Sequence, residues 1–326
     1  MTKFSPYTDL ALEIAESISS DFTDIDGVKM AQKEYEDINT SVTVVDIINE
    51  KGAEKMQKPI GEYITIESSE IKENNREVHE KIIAVLSRCI DRLCSHSQSS
   101  TILVVGLGNS KVTPDALGPK VVDRVLVTRH IRDTISEDIA DDVCSVSAIS
   151  PGVMGVTGIE TFEIVKGIAE KIHPDLIIAI DALAARNVSR INSTIQLTNT
   201  GVAPGAGVGN KRKTIDFDSM GVPVVAIGVP TVVDAATLAN DTIDRLLSAV
   251  LPEMDKESPL YKPLCSLAND DKYELITEIL SPYSENMFVT PKEVDAVIEN
   301  LANIIANGIN IALHRGINFD DIGKYK

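Results

Sequence analysis

From Thr101 onward the chain repeats one pattern: a short apolar run closed by glycine or aspartate, with helical spacing between several of the runs. TILVVGLG (101–108), CSVSAISPGV (144–153), DLIIAIDAL (175–183), TIQLTNTG (194–201) and VPVVAIGVP (222–230) read as strands covered on both faces. GIETFEIVKGIAEKI (158–172) and TVVDAATLANDTIDRLLSAV (231–250) carry the helical period. Strand–helix alternation builds a mostly parallel central sheet with helices on both sides, so the expected fold is an α/β three-layer α/β/α sandwich. A last helix is expected over 291–314, with Thr290 as N-cap and Pro291 in its first turn, while 251–289 reads as loop-rich.

Ahead of this core the pattern differs. Residues 1–27 are acidic and rich in Ser and Thr, TSVTVVDII and GEYITIES read as strands over 41–48 and 61–68, and 70–97 is polar and helix-like. That suggests an N-terminal β/α extension over 10–100 packed on a catalytic core over 101–326. The 49 acidic against 31 basic residues leave a net charge of −18, which disfavours a nucleic-acid surface and docking on anionic membranes. No continuous apolar run approaches the ~18 residues of a membrane span, and the N-terminus lacks the apolar stretch of a secretory signal. Cys89, Cys94, Cys144 and Cys265 follow no CxxC spacing and read as reduced structural thiols of a cytosolic protein.

Nucleotide signatures fail where they matter. A dinucleotide fingerprint needs a third glycine where Lys111 stands, and Asn210 separates Gly209 from Lys211 where a phosphate loop needs Gly-Lys. There is no GxSxG elbow, and HEKII has Ile83 in place of the second histidine of a zinc-protease helix. His79, His96, His130, His173 and His314 stand isolated.

Two aspartates remain. Asp115 follows the first buried strand, and Asp181 ends the apolar part of LIIAID, facing ALAAR. Each alone fits a helix cap. Together, beyond the carboxyl ends of neighbouring strands, they form a carboxylate pair suited to acid/base chemistry. The glycine-rich stretches 150–161 and 199–212 would let an extended peptide approach the backbone closely. Gly108, Asn109, Gly155, Gly207, Lys211 and Arg212 are therefore candidate substrate-binding or oxyanion groups. A metal-dependent endopeptidase and a non-catalytic anion- or nucleotide-binding α/β protein are the competing readings.

The strings VVGLGNSKVTPDALGP, SAISPGVMGVTGIET, IAIDALAAR, TNTGVAPGAGVGNKR and GVPVVAIGVPTVVDAATLANDTID resemble the germination proteases of spore-forming bacteria. KPIGEYITIES and YTDLALE resemble further segments of that family, whereas 251–326 carries no matching motif. The resemblance implies an endopeptidase that starts the degradation of small acid-soluble spore proteins during germination. It implies a self-processing zymogen, a homotetramer in the cytoplasm of the forespore and spore core, and an aspartic mechanism whose two aspartates fall on Asp115 and Asp181. No cofactor and no metal ligand are implied. The related hydrogenase-maturation endopeptidases hold nickel through acidic residues and a histidine, which no residue here is assigned to supply. The family's substrates are cut after an acidic residue that follows Thr and precedes a large apolar residue and Ala. Thr8-Asp9-Leu10-Ala11 repeats that order, so self-cleavage is expected between Asp9 and Leu10, releasing residues 1–9 as a propeptide.

Overall fold

The computed structural model describes residues 8–19, 25–132, 142–205, 213–255, 258–259, 261, 275–276, 278–279 and 287–318. Nine strands join into one sheet: β1 (Val28–Tyr35), β2 (Thr40–Ile47), β3 (Gly61–Ser68), β4 (Thr101–Gly106), β5 (Ser145–Ile149), β6 (Leu176–Ala185), β7 (Thr194–Thr198), β8 (Val224–Asp234) and β9 (Phe288–Val289). Their order is β1-β2-β3-β7-β8-β6-β4-β5, with β9 paired to the end of β8. The block β8-β6-β4-β5 is parallel, as the repeated strand–helix pattern predicts. The N-terminal extension continues the same sheet through antiparallel pairings from β1 to β7, and β7 joins β8 antiparallel.

Alternation along the strands assigns the layers. Ile102 and Val104 of β4 face the core beneath α3 (Arg76–Leu93), α4 (Leu117–Val122) and the C-terminal helix Val294–Leu313. Leu103 and Val105 face the opposite core, under helix Thr161–Ile172. On that second face α1 (Ala11–Ile18) and α2 (Glu50–Met56) cover Val45, Ile47 and Tyr63. The result is an α/β/α sandwich. Helix Val294–Leu313 is long and apolar enough to cross a membrane by composition, but Ile298, Leu301, Ile305 and Ile309 are fully buried against the core. Each such side chain contributes about 1.5–3 kcal/mol by leaving water.

β1, which no apolar run marks in the sequence, is an edge strand with mostly exposed side chains. Three local readings need correction. Residues 231–234 are not helix: β8 runs on to Asp234, held by Ala184 and Ala185 of β6 and by β9, and Asp234 then caps helix Ala235–Val250 by accepting from Thr237 N. The last helix starts after Glu293, and the Thr290 hydroxyl donates instead to the Thr231 carbonyl at 2.9 Å. β6 extends four residues beyond Asp181, so that aspartate stands inside a paired strand, opposite Gly228. Opposite Leu183/Ala184 the register shifts, leaving Thr231 of β8 as the extra, bulged residue.

Candidate active site

The loop after β4 is built around Asp115. Gly108 has φ +107°, and a side chain there would place its β-carbon 2.1 Å from the Asp115 carbonyl oxygen, so only glycine fits. The Asn109 N–H donates to that carbonyl at 3.0 Å and to Asp115 Oδ2 at 2.8 Å. Leu107 N–H donates to Ile180 O, and Lys111 N–H to Asn109 Oδ1. The Leu107, Asn109 and Lys111 N–H groups are thus engaged within the protein, which speaks against a phosphate cradle in this loop. A 3-10 turn, Thr113–Asp115, carries the aspartate, and the Thr113 hydroxyl ties it to Asp295 of the C-terminal helix at 2.9 Å. Asp115 does not cap the next helix: Ala116 is the N-cap of α4 and makes no side-chain cap bond.

Asp181 is 7% exposed and its Oδ1 accepts from the Ala182 N–H at 2.9 Å. It caps no helix either, since the strand continues. Asp115 and Asp181 line one cavity of about 350 Å³ whose other walls are largely apolar, including Leu107, Val153, Leu183 and Phe288. β4 and β6 are parallel neighbours, so the loop after β4 and the carboxyl-end part of β6 lie at the same edge of the sheet, and Asp115 and Asp181 face one cavity.

A second cavity of about 210 Å³ shares Asp181, Ala182, Leu183 and Gly205 with the first. Lys58, Tyr63, Gln196 and Thr200 line it, and so does Asp9. The N-terminal segment is held there by several bonds. Asp9 N–H donates to Ala184 O at 3.0 Å, and Asp9 Oδ2 accepts from Ala184 N–H at 2.9 Å. Gln196 spans the Asp9–Leu10 linkage, its Nε2 donating to Asp9 O at 3.1 Å while its Oε1 accepts from Ala11 N–H at 2.7 Å. Leu10 and Ala11 are fully buried. Further along α1, Glu13 accepts from Arg186 N–H and Asn187 N–H, and Arg190 bridges Glu16 and Glu67.

Neither Thr8 nor Asp9 is the N-cap of helix α1. Leu10 is its N-cap, and Thr8 contributes by accepting from the Leu10 N–H at 3.1 Å and donating to Glu13. Asp9 points to β6 rather than to the helix end. Burial lowers the Lys58 ammonium below its usual pKa, and the carboxylate of Asp9 opposes that shift. Burial also raises the Tyr63 phenol, partly offset by hydrogen bonds from Thr200 and Thr198.

Of the remaining sequence candidates, Gly108 lines the first cavity and shapes the Asp115 loop, and Asn109 acts through its backbone N–H. Gly155 sits on an exposed one-turn helix, Met154–Thr157, and lines neither cavity; Val153 and Thr161 represent that segment in the first. Gly207, Lys211 and Arg212 lie outside the described residues, as does Cys265. Lys58 opens the family-like string KPIGEYITIES and Gln196 lies in the buried run TIQLT, but the sequence singles out neither as a site residue. Among the described residues no three His, Cys, Asp or Glu side chains gather to hold a metal, and no metal-dependent step is derived. The three described cysteines are buried and free, their thiols pushed up to about 11 (Cys89), 12 (Cys94) and 11 (Cys144) mainly by desolvation.

Fold and crevice define an α/β/α protein with paired acidic side chains where open parallel sheets carry their chemistry. The germination protease family model matches residues 8–262 and 245–326. The chain belongs to the germination protease family, and it is a peptidase of spore germination acting on protein substrates. It is 49% identical to the germination protease of Caldanaerobacter subterraneus over 310 residues, covering 95% of this chain and 94% of the relative. The germination proteases of Clostridium tetani and Bacillus subtilis are 47% and 42% identical, each covering 98% of this chain and respectively 98% and 96% of their own. Among solved structures, a NiFe hydrogenase maturation protease from Thermococcus kodakarensis aligns with 68% of this chain and 98% of its own, at TM-score 0.33 and 16% identity.

Proposed function

We propose that the cavity lined by Asp115 and Asp181 is the peptide-hydrolysing centre, working by an aspartic mechanism. The observation that carries this reading is the meeting of both carboxylates in one apolar-walled cavity, with neither used as a helix cap. In this mechanism the pair shares one proton. The ionised carboxylate takes a proton from a water whose oxygen attacks the scissile carbonyl carbon. The protonated one polarises that carbonyl and then gives its proton to the leaving nitrogen as the C–N bond breaks. The products are a carboxylic acid and an amine, and the pair again holds one proton.

The substrates proposed are small acid-soluble spore proteins, cut after an acidic residue, and the protein is proposed to work as a homotetramer in the forespore and spore core. The full chain is proposed to be a zymogen that cuts itself between Asp9 and Leu10. Its supporting observation is that Thr8–Ala11 lies along β6 and β7 beside Asp181, so that release of residues 1–9 would clear the second cavity. Because Leu10 and Ala11 are buried, the segment has to lift before it is cut.

Asn variants test both roles. Asp115→Asn and Asp181→Asn each keep side-chain volume and lose the proton chemistry, and each should cut turnover by roughly 100-fold or more at unchanged melting temperature. Intact mass should show Leu10 as the new N-terminus of the wild-type chain, while Asp181→Asn stays full length. Near-wild-type turnover in either variant removes that residue from the mechanism.

A further inference from the structure

The second cavity has an ordered set of donors around Asp9. Asp181 pairs with Gly228, and Gly228 with Gln196, so the three form one row across β6, β8 and β7. Paired residues point to the same face, which puts the Gln196 carboxamide and the Asp181 carboxylate on one side of the sheet. No side chain rises between them from Gly228, and Leu183 leans into that space. At one end of the row Gln196 grips a carbonyl and the N–H two residues later, the backbone on either side of a single residue. Beside it the Ala184 N–H meets the carboxylate of Asp9. Among the described residues lining the two cavities, Lys58 is the one cation, and Asp9 is the charge acting on it.

We infer that the Lys58 and Gln196 end of the second cavity is the subsite for the residue preceding the cleaved bond, with Lys58 selecting an acidic side chain and Gln196 holding the adjoining backbone. Asp9 occupies this subsite in the full chain. Release of residues 1–9 vacates it for an acidic residue of a substrate. A carboxamide at the same place still accepts from Ala184 N–H, so the charge on Lys58 is what separates an acid from its amide. The inference rests on the proposal that Asp181 belongs to the hydrolytic pair, and it assigns a specificity that the pair alone does not supply.

The test uses purified full chain, allowed to process, and two peptides: SPYTDLALEI, which is residues 5–14, and the same peptide with Asn at the fifth position. Wild type should prefer the acidic peptide in kcat/KM by roughly 10–100-fold, the range set by a hydrogen-bonded charge. Lys58→Met should bring the ratio to within about threefold, and Lys58→Arg should keep most of it. Gln196→Leu should slow both peptides alike and leave the ratio standing. Because the ratio is taken within one protein sample, partial loss of folded enzyme cancels. A Lys58→Met enzyme that keeps the preference overturns the assignment, as does a wild type that cuts both peptides equally. A wild type that cuts neither peptide points to failure of the hydrolytic proposal itself, and the assignment falls with it.

Discussion

Replacing Gly108 with Ala tests whether the loop exists to place Asp115. The added β-carbon would lie 2.1 Å from the Asp115 carbonyl and 2.9 Å from its carboxylate Oδ1. Relief requires the turn to move by about 1 Å, enough to cost ~100-fold in a positioned reaction. A φ of +107° is itself unfavourable for alanine, adding about 1–3 kcal/mol of strain. At about 2–4 °C per kcal/mol for a chain of this class, the melting temperature should fall by several degrees while the fold survives. The double acceptance of the Asn109 N–H by Asp115 is lost in the same movement. Steady-state hydrolysis of an acidic peptide, with calorimetric melting of the same sample, reads both effects. Turnover should drop about 100-fold with KM changed far less. Wild-type turnover in a stable Gly108→Ala protein would show that the loop does not position the aspartate, and the reasoning would be refuted.

Three further outcomes follow from the buried polar groups. His314 is fully buried and burial lowers its pKa to about 4 from 6.5, so the unfolded chain takes up the proton first. Its contribution is complete above pH 6.5 and lost as pH falls towards 4, about 3 kcal/mol at most. Urea unfolding at pH 7.5 and 5 should show a smaller pH slope in His314→Leu, and equal slopes would refute the assignment. Arg190→Met leaves Glu13, at 3% exposure, without its nearby cation, a change worth about 3–5 kcal/mol in buried pairs. Hydrogen exchange over 11–18 should quicken and cleavage after Asp9 should speed up; unchanged protection would mean that the cluster does not hold α1. In a Cys265→Ser background, Cys89, Cys94 and Cys144 should resist thiol reagents at pH 8 until the chain unfolds, since their raised pKa values leave little thiolate. Rapid labelling of the native protein would contradict their burial.

What the sequence determined by itself was local. Period-two alternation and short apolar runs identified β2, β3, β4, β6 and most of β8, because a strand's own side chains declare which faces are covered. Asp115 and Asp181 stood out for the same reason, as carboxylates attached to apolar runs. The tertiary structure decided which runs are neighbours. The pattern places β7 with the parallel core strands, whereas its antiparallel pairing with both β3 and β8 makes it the strand that links the antiparallel extension to the parallel core. The strand ends were also decided there, since Val232–Asp234 pair with β6 and β9 against their helical spacing. The same holds for the site's second half. Asp9, Lys58, Gln196 and Asp181 come from four distant parts of the chain and share no motif. Strand register sets the row from Asp181 to Gln196, and α1 docking brings Asp9 beside it. Register and docking are fixed by the sum of long-range contacts, which no local window contains.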